Sequence, residues 1–116
     1  LAYAAEVAAA AEARSRSAVH EEWRHLERAH IVSQPIAILH VGCHARMLGY
    51  GLRHRDRREI TGQVLRIVVA GPGSLLGRYP VGNTGGADVP ATQPMPIPDD
   101  LRPLFVEDPP SAPPRG

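Results

Sequence analysis

The chain has 116 residues, a formal charge of +1, 43% apolar residues and only 4% aromatic ones. This is the length of one small domain, and the charge balance leaves no overall field to attract nucleic acid or a membrane surface. A single cysteine excludes an intrachain disulfide, and charges interrupt every apolar run before it reaches the length of a transmembrane helix.

Residues 2–14 are alanine-rich and favour helix strongly. They carry Glu6 and Glu12 and lack a basic leader region, so they do not read as an export signal, and the expected location is the cytoplasm. The ARSRS stretch at 13–17 reads either as a break, with Ser17 capping the next helix, or as the middle of one long helix. Residues 18–32 form an amphipathic helix in which Val19, Trp23, Leu26 and His30 share one face. Pro35 suits the first turn of a third helix, 36–53, whose inward stripe is Ile36, His40, His44, Met47 and Gly51, with Cys43 at its edge. Gly42 and Gly49 on that helix suggest close packing or a protein contact. Asp56 and Glu59 have capping-box spacing and open a fourth helix, 57–69, which GPG at 71–73 is expected to end. On it Glu59, Gln63 and Arg66 form a polar stripe beside an apolar face of Ile60, Val64 and Ile67.

The composition then changes. Residues 71–116 hold eleven of the twelve prolines and seven of the eleven glycines. Val89, Met95, Ile97, Leu101, Leu104 and Phe105 are too apolar for a free linker, so 71–105 is expected to wrap the helices, with one helical turn near Asp99–Phe105. Residues 106–116 read as a disordered tail. The expected fold is therefore all-α: one domain over 1–105, three to four antiparallel helices in a helical-hairpin array, and an extended Pro/Gly-rich C-terminal segment.

HLERAHI at 25–31, Gln34, H-x3-H-x2-ML at 40–48, GRYPVGNTGGADV at 77–89 and the PMPIP-x-DL that follows together resemble a family of short bacterial proteins classed as a domain of unknown function. The resemblance implies a compact, mostly helical domain with the C-terminal segment as an integral part. It implies no activity, so the functional reading rests on the chemistry of the residues.

Histidine is the compositional excess, with five of six lying between His20 and His44. Glu22-x-x-His25 and Glu27-x-x-His30 have the spacing used by di-iron bundles, but such bundles need the motif on two helices and the second is absent. His40 and His44, at i and i+4, are placed as in H-E-x-x-H, but the glutamate is missing and a zinc-protease reading fails. His30, His40 and His44 with Glu27 or Glu59 give three nitrogens and one oxygen from three helices, a set suited to zinc, iron or copper. The leading expectation is thus a small intracellular metal-binding or metal-handling protein. The alternative is a non-enzymatic helical interaction module whose histidines are structural, with a second copy or another protein as partner. The glycines of GNTGG at 82–86 read as a tight turn held by Asn83 and Thr84, with an anion nest near Arg78 as the competing reading. Arg53, Arg55, Arg57 and Arg58 are interrupted by Asp56 and Glu59 and read as a solvated connection, not a nucleic-acid patch. No nucleophile with an activating base and oxyanion donor is identifiable, so the balance lies against an enzyme.

Overall fold

The computed structural model describes residues 1–76, 81–90 and 93–105, with the backbone alone described over 69–75. The tail at 106–116 and the 77–80 stretch, Arg78 included, lie outside the described residues. Four helices follow one another: α1 Ala2–Ser15, α2 Val19–Ser33, α3 Ala37–Arg53 and α4 Arg57–Leu75. One 3-10 turn, Arg102–Leu104, comes near the C-terminus, and there is no strand among the described residues. Successive helices pack on one another, α1 on α2, α2 on α3 and α3 on α4.

The first and third connections are built alike. Ser17 sits in the left-handed region at φ 56°, its N–H donates to the Arg14 carbonyl and the Ala18 N–H donates to the Ala13 carbonyl. Arg55 repeats this at φ 54°, with its own N–H on Leu52 and the Asp56 N–H on Gly51. Both are Schellman closures, in which crossed hydrogen bonds satisfy the last carbonyls of a helix. Ser17 therefore closes α1, and it does not cap α2, whose N-cap is Ala18. Asp56 does cap α4, its Oδ1 accepting from the Glu59 N–H at 3.0 Å. The GPG triplet does not stop α4, which continues to Leu75.

The apolar core is small. Ala10, Leu26 and Met47 form it, with Trp23 and Tyr50 packed alongside at a ring separation of 4.7 Å. Around it the fold buries polar side chains, and Gln34, Gln63 and Asn83 are among the largest that are wholly enclosed. On α4 the polar stripe faces inward: Glu59, Gln63 and Arg66 are buried, whereas Val64, Leu65 and Val68 are exposed. The reason lies in what α4 packs against. Residues 85–89 present bare backbone there, which calls for hydrogen-bonding side chains. Gly62 makes the approach feasible, since a Cβ at that position would lie 2.7 Å from the Cβ of Ala87. Further on, Arg28 of α2 holds both Glu6 of α1 and Asp100, and Leu101 is buried.

Candidate metal centre

α2 delivers His30 and α3 delivers His40 and His44 one turn apart, all three almost fully enclosed. Their Nε2 atoms converge. His30 lies 3.0 Å from His44 and 3.0 Å from His40, and His40 lies 3.2 Å from His44. Among the described residues this is the group of ligand-type side chains close enough to share an ion.

The other ring nitrogens fix what those Nε2 atoms carry. The Nδ1 of His30 lies 2.7 Å from the Asn83 carbonyl oxygen, which can only accept, so Nδ1 bears the proton. The Nδ1 of His44 lies 2.6 Å from Oε1 of Gln63. The Gln63 amide cannot be reversed, because its Nε2 donates to the Glu59 carboxylate at 2.6 Å and to the Gly85 carbonyl at 2.8 Å. His44 therefore also carries its proton on Nδ1. In the neutral state both His30 and His44 present lone pairs at Nε2, facing each other with no proton between them. A proton on the Nε2 of His40 leaves that His30–His44 side unbridged.

Burial favours the neutral state. Desolvation, reinforced by the charges of His44 and His40, holds His30 well below the usual imidazole range, against the pull of the Asn83 carbonyl. Desolvation, then His44, lowers His40 to about 4. Desolvation lowers His44 to about 4 as well, although its bond to Gln63 acts in the opposite sense. At neutral pH all three rings are ready to ligate.

The GNTGG loop is the cover of this site. Asn83 turns its Oδ1 back onto the Gly85 N–H at 2.8 Å and anchors Nδ2 on the Pro90 and Gln93 carbonyls. Gly85 has φ +86°, and a Cβ there would lie 2.6 Å from the His30 ring, so only glycine lets the backbone close on the imidazole. α4 holds the loop down from its polar stripe: Gln63 on Gly85, Glu59 on the Ala87 N–H and Arg66 on the Val89 carbonyl. The expected turn is present and is held by Asn83, but the Thr84 hydroxyl does not bond the backbone as expected.

Glu27 and Glu59 are placed outside the three-nitrogen group. Both oxygens of Glu59 are 3.1 Å from the Ala87 N–H, and the carboxylate reaches His44 only through Gln63. Glu27 is half-buried; desolvation pushes its carboxyl above the usual range, Asp88 and Glu59 add to this, and the Thr84 hydroxyl opposes it. The Cys43 thiol donates to the Leu26 carbonyl at 3.5 Å, and burial pushes it up to about 12, so it acts as a packed apolar group. His25 pairs with Glu6 at 2.6 Å, and His20 and His54 are exposed.

Sequence reasoning missed Asn83 as the partner of His30 and Gln63 as the partner of His44. Gln63 had a signal, its place on the Glu59–Arg66 stripe. The Asn83 carbonyl had none, because a backbone acceptor 53 positions from His30 leaves no trace in side-chain patterning.

The fold and site define a small all-helical protein with a buried three-histidine cluster. The chain belongs to the DUF3703 family, described as a protein of unknown function, whose profile matches residues 1–105. Neither characterised proteins nor solved structures gave a match. No helix among the described residues is long and apolar enough to cross a membrane.

Proposed function

We propose that the protein holds one transition-metal ion between the Nε2 atoms of His30, His40 and His44, and acts as a metal-binding or metal-handling protein, not as an enzyme. The observation that carries this reading is the His30–His44 contact, in which two lone pairs meet at 3.0 Å without a proton. Buried lone pairs in that arrangement repel, and a Lewis acid relieves them. The spacing suits one. Zinc–nitrogen bonds of about 2.0–2.1 Å at tetrahedral angles set nitrogens roughly 3.3–3.4 Å apart, so the triangle need open by only a few tenths of an ångström. Hydrogen bonds donated by Nδ1–H to the Asn83 carbonyl and the Gln63 amide oxygen are the outer support that ligating histidines need.

In this reading Glu59 acts through Gln63 and is not itself a ligand, and Glu27 adds negative charge on the loop side. The ion is zinc, iron or copper, all suited to imidazole. The supporting architecture is a helical-hairpin array of antiparallel neighbours with the C-terminal segment laid across it.

The test is elemental analysis of freshly purified, untagged protein beside a His40→Ala/His44→Ala variant. Near-stoichiometric metal in the wild type, lost in the variant, supports the reading and names the ion. A wild type that neither retains metal nor takes up zinc, iron or copper when titrated refutes it and leaves the histidines as packing residues.

A further inference from the structure

A second site lies apart from the histidines. Between α1, α2 and α3 runs a half-open cleft of about 480 Å³. This falls in the range of small-ligand pockets. Its floor includes the buried side chains Ala10 and Leu26. Its polar lining is cationic, with Arg14, Arg46 and Arg53 against a single carboxylate, Glu22. Glu22 is already matched by the Arg53 guanidinium. Arg46 has the Tyr3 hydroxyl beside it, and among the described residues neither Arg14 nor Arg46 stands within ion-pair distance of a carboxylate.

Gly49 supplies an independent observation. It lines the same cleft from within α3, has no positive φ, and a Cβ added to it would meet nothing within 4 Å. Gly51, by contrast, faces Glu59 and Ile60 at 3.3–3.4 Å. Glycine inside a helix is unfavourable relative to alanine. At position 49 neither backbone conformation nor packing requires it, and its effect is to leave the α3 backbone bare where the cleft is open.

We propose that this cleft binds a small organic anion with an apolar body, a carboxylate above all. Arg14 and Arg46 take the head group, and the apolar part lies along Ala10, Leu26 and the bare backbone at Gly49. Arginine suits this because its planar fork matches a carboxylate with two parallel hydrogen bonds. The proposal is independent of the metal reading.

The experiment is calorimetric titration of the full chain with decanoate below its micelle concentration. Decyltrimethylammonium, with the same tail and the opposite charge, serves as control. The expected result is saturable one-to-one binding of decanoate and none of the cation. Arg14→Gln and Arg46→Gln should each weaken binding about tenfold, the size of one charge-assisted contact. Gly49→Leu should abolish binding while raising Tm by a few degrees, since it fills space and improves helix propensity together. Absence of binding to the wild type, equal binding of the cation, or binding unchanged in the variants overturns the proposal. A lowered Tm in Gly49→Leu also overturns it, because the space would then not be open.

Discussion

Gln63 is the hinge of the site's electrostatics, and replacing it by leucine tests the tautomer argument directly. The side chain is fully enclosed and makes three hydrogen bonds, to His44 Nδ1, Glu59 and the Gly85 carbonyl. Leucine keeps much of the volume and none of the bonds. Glu59 retains the Ala87 N–H, so the groups left without this partner are the His44 N–H and the Gly85 carbonyl. At about 1–3 kcal/mol for each buried orphan, Gln63→Leu should cost roughly 2–6 kcal/mol. Urea unfolding followed by far-UV circular dichroism measures this on metal-free protein. Zinc affinity, measured against a chromophoric chelator, should fall about 10- to 100-fold, the usual effect of removing a ligand's outer partner. Gln63→Glu separates the two effects. It restores an acceptor for His44 and so should recover affinity, while its carboxylate beside Glu59 keeps stability low. A Gln63→Leu protein with zinc affinity within about twofold of wild type would refute the claim that Gln63 sets the His44 tautomer.

The metal-free protein should lose stability as pH falls from about 6.5 towards 4. His40 and His44 titrate near 4 when folded and near 6.5 when unfolded. The unfolded chain therefore binds more protons across that window, and the histidine contribution, fully present at neutral pH, is withdrawn as the solution is acidified. Thermal melts at stepped pH should show this slope, and a His40→Ala/His44→Ala protein should flatten it. At the helix junctions, Ser17→Gly and Arg55→Gly should each stabilise by roughly 0.5–1 kcal/mol, because glycine removes the left-handed penalty but adds freedom to the unfolded chain. Ser17→Val should move the other way, and equal unfolding midpoints for all three variants and the wild type would contradict the Schellman assignment.

Much of this was legible in advance wherever one helix carried the information. Periodicity placed His40, His44, Met47 and Gly51 on one buried stripe of α3, although Ile36 at its start is exposed; the meeting of His30 with His40 and His44 depends on how α2 packs on α3, which periodicity does not give. The junctions were harder. Helix ends are usually read from glycine, and here serine and arginine occupy the left-handed positions. The stripe of Glu59, Gln63 and Arg66 on α4 was visible in the spacing, but its partners were not: besides α3, α4 packs against loop backbone, which those side chains satisfy. Gly49 was read as a sign of close packing or of a protein contact; among the described residues nothing packs on it, and a helical glycine looks the same in sequence whether it admits a neighbour or leaves a space.

The two halves of the histidine centre have very different sequence separations. His30 and His44 are 14 residues apart, on helices joined by a short connection, whereas Asn83 joins them across 53 residues. Short-range contacts close early and at small entropic cost, and long-range ones close late. Loop-closure entropy therefore favours assembling the imidazoles before their cover. On the metal reading, an ion would enter before the cover closes, and its exchange from the native protein would require residues 83–89 to lift, so its residence time would follow how firmly α4 grips that loop.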